Sequence, residues 1–240
     1  GAHVVIAGGK LVATVLGKIG GQRRVVRFSR AITPLLNVIG EMPLPPYIRT
    51  KLSDEERYQT VYAAVMGSAA APTAGLHFTP ALLAAIRELG ISVASITLHV
   101  GLHTFAPVRA EMIDDHPIHN EWCCLDEATA EVINRAHRGG GRIVAVGTTT
   151  ARVLETAARA ASGNRVAPVC GETDLYIIPG HRFRVVDALL TNFHLPRTTL
   201  LMMVAAFIGA SGRSEILAAY QSAMQAGYRF YSFGDAMLIL

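Results

Sequence analysis

The hydrophobic and polar positions along the chain follow two rhythms. Up to residue 28 the apolar runs are short, at 3–6, 11–16 and 23–28, and the glycine pairs Gly8-Gly9 and Gly20-Gly21 punctuate them. That pattern predicts three turn-linked strands, which bury no face alone and belong to a small barrel or sheet with other parts. A short helix over 32–39 and the stiff run Met42-Pro43-Leu44-Pro45-Pro46-Tyr47 follow, and the prolines mark the best domain boundary. From Tyr58 onward helical spacing alternates with apolar strands. Helices are predicted over 80–89, from Asp126 to about 138, from Gly147 to 161, over 198–208 and over 214–226. Strands are predicted over 92–100, 142–146, 174–178, 184–190 and 236–240. Such alternation predicts an α/β domain over 47–240 with a mixed, largely parallel sheet, preceded by a smaller β unit over 1–46.

Composition narrows the class. With 51% hydrophobic and 17% charged residues in 240, the chain is globular and long enough for a sizeable core. A net charge of +4 and a pI near 9.2 permit an anionic partner such as RNA without requiring one. Three cysteines, two of them adjacent at Cys123 and Cys124, make neither a disulfide framework nor a paired zinc motif, and a reducing cytoplasm is the expected compartment. The most apolar stretch, 199–210, is too short to span a bilayer, so no membrane partner is expected. The chain opens at Gly1 within a strand pattern, which suggests a fragment of a longer protein.

Candidate chemistry collects at loops. Residues 69–78, Ala-Ala-Ala-Pro-Thr-Ala-Gly-Leu-His-Phe, carry small side chains that admit a ligand or a neighbouring strand, then His77 and a capped helix start at Thr79-Pro80. Ile143 to Thr150 reads as strand, glycine turn and helix N-terminus, a place where hydroxyls and unpaired N–H groups suit a carboxylate, ribose or phosphate. Asp114-Asp115-His116-Pro117-Ile118-His119-Asn120-Glu121 holds two imidazoles among acids. Pro117 argues against a helical zinc motif, and proton transfer fits better, with Glu121 orienting or tuning an imidazole. Asn192 and His194 are polar positions between apolar neighbours and serve either bracing or ligand contact. Arg23, Arg24, Arg27 and Arg30 form a basic cluster, and Arg229 sits among aromatic rings; both are candidate phosphate contacts.

Taken in order, these stretches resemble the S-adenosylmethionine:tRNA ribosyltransferase-isomerase family of queuosine synthesis. The segments that carry the resemblance run from Gly40-Glu-Met-Pro-Leu-Pro-Pro-Tyr47 and Tyr58-Gln-Thr-Val-Tyr62 through Ala70 to Phe78 and Thr97-Leu-His-Val-Gly101. They continue with Asp115-His116, His119, Glu121, Val146-Gly-Thr-Thr149, Thr191-Asn-Phe-His-Leu-Pro196 and Tyr228 to Met237. The resemblance implies a main α/β domain and a small β-barrel domain, the latter only partly present here. It implies S-adenosylmethionine as co-substrate, no prosthetic group or metal, and tRNA as partner. The implied reaction moves the ribosyl part of S-adenosylmethionine onto 7-aminomethyl-7-deazaguanine at the tRNA wobble position, giving epoxyqueuosine with loss of adenine and methionine.

On that resemblance His77, His116 and His119 are candidate bases or acids and Glu121 their orienter. Thr148 and Thr149 would hold the methionine carboxylate, Thr73 and Gly75 would let backbone approach the co-substrate, and Asn192 and His194 would line the same pocket. Arg23, Arg24, Arg27 and Arg229 are the RNA-contact candidates. The chain departs from the family pattern at His103, where the family has glycine, and at Asn120, where it has serine. These departures raise the alternative of another deazapurine acceptor, while the basic cluster Arg23–Arg30 and the expected loss of an N-terminal part raise that of a non-catalytic RNA-binding remnant.

Overall fold

The computed structural model describes residues 1–19, 24–101, 112–113, 116 and 118–240. The chain divides into two compact units, Gly1–Pro43 and Leu44–Leu240, so the break falls inside the proline-rich connector. In the first unit β1 (His3–Ile6), β2 (Leu11–Lys18) and β3 (Arg24–Phe28) pair antiparallel in that order, and α1 (Thr33–Ile39) follows. Leu11 and Ala13 on β2 are buried, while Val4, Val5, Leu16 and Val38 are exposed, and among the described residues the sheet is open at both edges.

The second unit is α/β. Its elements are α2 (Pro80–Glu88), β4 (Thr97–Leu98), β5 (Glu121–Leu125), α3 (Glu127–Arg138), β6 (Val144–Val146) and α4 (Thr148–Arg159). They continue with β7 (Val169–Thr173), β8 (Ala188–Asn192), α5 (Thr199–Ile208), α6 (Gly212–Gln225) and β9 (Ala236–Ile239). Two three-stranded sheets result, in the orders β4-β5-β7 and β6-β8-β9. The expectation of a largely parallel sheet is corrected: among the described pairings only β6 with β8 is parallel. The physical reason is visible in burial. Along β5 Cys123 and Leu125 are buried and Trp122 is exposed, the alternation of a sheet covered on one face, which antiparallel pairing allows. Among the described strands only β8, the middle one of its sheet, is buried nearly throughout.

The core lies around α4, with Ala151, Val153, Leu154, Ala157 and Ala158 buried against Ile143, Ala145, Leu189 and Val204. Three helix starts are closed by their own side chains: Thr79 accepts from Leu82 N–H, Asp126 from Thr129 N–H and Thr198 from Leu201 N–H. Helix α4 differs. It follows Gly147 at φ +89°, ψ 148°, a conformation open to glycine, with no side-chain cap.

The cysteine reading also changes. Cys124 on β5 and Cys170 on β7 stand directly opposite in the register and are joined as a disulfide, while Cys123 is free and buried. Counting cysteines does not reveal a cross-strand pair, because the partners are brought together only by register.

Candidate active site

Two cavities meet at the N-terminus of α4. The larger, about 110 Å³, is lined by residues 70–74, Gly147, Thr148, Thr149, the strand end Thr191 to Leu195 and the loop residues Tyr47, Tyr231 and Ser232. The other, about 80 Å³, is lined by His116, His119, Glu121, Arg152, Tyr176, Met203 and again Thr148 and Thr149. The two threonines stand in both walls because a strand ends at Val146 and the helix begins at once.

In the larger cavity, the Thr73 hydroxyl donates to Asn192 Oδ1 at 2.9 Å, and Asn192 Nδ2 donates to the Tyr231 carbonyl at 3.3 Å. Asn192 therefore ties a 3-10 turn (Thr73–His77) to the aromatic loop after α6. His194 Nε2 lies 2.7 Å from Thr191 Oγ1, and its backbone N–H donates to Tyr220 Oη at 2.6 Å. Burial pushes the His194 imidazole down to about 4, so it is neutral at physiological pH. Tyr47 and Tyr58 both reach Ser232 Oγ, at 2.6 and 3.3 Å, and burial raises Tyr58 to about 12.

The second cavity is organised by a residue that sequence reasoning missed. Arg152 lies one helical turn beyond Thr148 on α4 and is 8% exposed. Its Nη1 pairs with Glu121 Oε2, Nη2 donates to the carbonyls of His119 at 3.2 Å and Thr173 at 3.1 Å, and Nε donates to Leu175 O at 2.9 Å. Burial lowers its affinity for the proton, and Glu121 opposes that shift. The other Glu121 oxygen accepts from Gly101 N–H at 2.8 Å, so the carboxylate expected to orient an imidazole is engaged by Arg152 and a backbone amide. The His116 ring lies 6.1 Å from that of Tyr176, centroid to centroid. Helix periodicity was the missed signal: Thr148, Arg152 and Glu155 recur at helical spacing, and each is buried.

Several expected site residues lie elsewhere. His77 is exposed and in neither cavity lining; its charge adds to the lowering of Asp235, whose main cause is the Arg229 N–H bond. Gly75 is buried, but its missing side chain makes room for Tyr62, whose hydroxyl would stand 2.0 Å from a Cβ there. Arg229 is mostly exposed and pairs with Asp235 at 3.4 Å. Arg24 and Arg27 sit three apart on regular β3, hence on opposite faces of the sheet. Arg23, His103, Asp114, Asp115 and Pro117 lie outside the described residues. Asn120 donates to Glu172 at 3.0 Å on the surface and lines neither cavity.

A family model described as queuosine biosynthesis protein matches residues 1–239. An S-adenosylmethionine:tRNA ribosyltransferase-isomerase of Moorella thermoacetica is 54% identical over all of this chain and 70% of its own length. The chain belongs to the S-adenosylmethionine:tRNA ribosyltransferase-isomerase family. That is an enzyme family of tRNA modification and queuosine biosynthesis. The family member of Caldanaerobacter subterraneus is 50% identical, with the same coverage. The crystal structure of S-adenosylmethionine tRNA ribosyltransferase from Thermotoga maritima superposes with a TM-score of 0.57 at 37% identity. It covers 96% of this chain, and the chain spans 62% of that structure. Among the described residues no single helix is long and apolar enough to cross a membrane.

Proposed function

We propose that this chain transfers and isomerises the ribosyl moiety of S-adenosylmethionine onto 7-aminomethyl-7-deazaguanine at the tRNA wobble position, in the cytoplasm. Epoxyqueuosine-tRNA forms, and adenine and methionine leave. The observation that carries the reading is the uncapped α4 N-terminus, buried where the two cavities meet. Unpaired N–H groups and the positive end of the helix dipole suit the methionine carboxylate, with the Thr148 and Thr149 hydroxyls beside it. The carboxylate seated there, the ribose and adenine extend along one cavity and the reacting carbon faces the other.

The sulfonium acidifies the ribose C5′ hydrogens, so a neutral imidazole within reach can take one as a proton. His116 and His119 are the candidates, since both line the second cavity. The carbanion expels adenine, and the second imidazole, charged, returns a proton to the departing base. The aminomethyl nitrogen then attacks the rearranged sugar, losing a proton as methionine leaves. Neutral His194 and Asn192 offer hydrogen bonds without a charge that would repel the sulfonium. Phosphate contacts are proposed for Arg24 or Arg27 on the first unit, which we read as part of a small β-barrel domain, and for Arg229 on the second.

The test is adenine release, followed chromatographically, from S-adenosylmethionine and tRNA carrying the aminomethyl base. Thr149→Asp puts a carboxylate at the helix start and is expected to weaken S-adenosylmethionine binding by about tenfold or more. Unchanged affinity in that variant would remove α4 from the binding site.

A further inference from the structure

We infer that Arg152 is a positioning residue: its guanidinium sets the His119–Glu121 segment at a fixed distance from the α4 N-terminus. The inference rests on the reading above, in which one end of the substrate sits at that helix start and the reacting carbon faces His119.

The geometry is that of a clamp. The side chain leaves α4 one turn below Thr148, and its four hydrogen bonds reach two stretches of chain, 119–121 and 173–175. Two go to the start of β5, at the His119 carbonyl just ahead of the strand and the carboxylate of Glu121, its first residue. One goes to the last residue of β7, Thr173, and one to Leu175 beyond it. His119, Glu121 and Leu175 all line the second cavity beside Thr148, Thr149 and Arg152 itself. Glu121 passes the constraint on to Gly101, whose N–H it accepts.

A buried cation is costly to desolvate, and an apolar residue of the same size often holds a fold as well. A guanidinium with four directed acceptors does something apolar packing does not: it fixes angles as well as distances. Arginine rather than lysine is required, because a single ammonium cannot meet acceptors spread along one planar fork. Misplacing a reacting group by about 1 Å can lower turnover about 100-fold, so a clamp on the backbone of a candidate base acts on rate more than on binding. Arg152 touches the His119 main chain, not its ring, and so acts through it.

The experiment compares the wild-type chain with Arg152→Lys by three readouts: turnover with the modified tRNA, calorimetric binding of S-adenosylmethionine, and the pH titration of the His119 ring by NMR. The inference expects kcat to fall about 100-fold, binding to change less than about threefold, and the His119 curve to move while that of His137, held by Asn164 O and Asp187, stays. Wild-type kcat, or an unmoved His119 titration, overturns it. If the wild-type chain itself turns nothing over, the proposed reaction fails, and the His119 titration alone decides the role of Arg152. Should the lysine variant not fold, Glu121→Gln with Arg152→Gln removes the buried pair as a neutral couple. A loss no greater than that of Glu121→Gln alone then overturns the inference, and a larger loss supports it.

Discussion

At the scale of residues, three histidines with similar sequence credentials separate by position. His116 and His119 line the second cavity, whereas His77 is exposed outside both. Replacing His116 or His119 with alanine is expected to lower adenine release by orders of magnitude with the melting temperature little changed. His77→Ala is expected to turn over within about threefold of wild type, since general acid–base roles are worth at least about 100-fold. A dead His77 variant, folded, would return that residue to the mechanism. His194 makes a separate prediction about pH. Its folded pKa of about 4 lies below the unfolded value of 6.5, so on acidification the unfolded chain takes the proton first. Stability is therefore full above about pH 6.5 and falls as pH drops toward 4, by up to about 3 kcal/mol from this group. Urea melts at stepped pH check this: His194→Gln, which keeps a hydrogen-bonding group toward Thr191, is expected to flatten that part of the curve.

At the scale of elements, helix positions and turn signals were legible, and strand extents were not. Caps at Thr79, Asp126 and Thr198 act as their side chains dictate. The strand expected over 174–178 instead begins and ends earlier, as β7 (Val169–Thr173). Leu175 and Ile177 are buried in strand-like alternation, yet the Leu175 N–H donates to Thr173 Oγ1 and its carbonyl accepts from Arg152. Likewise the strand expected from 184 starts at Ala188, because the N–H groups of Arg184, Val185 and Val186 donate to the buried carboxylate of Glu155 at 2.9, 3.0 and 3.2 Å. Two buried charged side chains of α4 thus take the place of a neighbouring strand. Apolar periodicity reports which face is covered, not what satisfies the backbone. The strand pair β5–β7 adds a test of its own: reducing Cys124–Cys170, 46 residues apart in sequence, is expected to lower stability by about 4 kcal/mol on the chain-entropy account. Denaturation with and without reductant, beside a free-thiol count, checks it; identical midpoints for samples that differ in thiol count contradict it.

At the scale of the whole molecule, the family was legible from the order of its motifs, and the relatives bear that out over the full chain. Of the candidate site, the juxtaposition of loops was legible in part: Thr73 and Asn192, 119 residues apart, were named together and are found hydrogen-bonded. What organises the second cavity, Arg152, was hidden because an arginine on a helix that also carries Glu155 and Arg159 advertises no particular partner until the strands it holds are in place. The proposed function requires that the two cavities around the α4 N-terminus form one S-adenosylmethionine site serving tRNA. The most direct measurement is adenine release with tRNA bearing the aminomethyl base, set beside calorimetric titration of S-adenosylmethionine. Saturable binding to the folded chain and one adenine released per modified base are expected, with Thr149→Asp weakening the binding. Salt-dependent tRNA binding by a folded sample that neither binds S-adenosylmethionine nor releases adenine would contradict it.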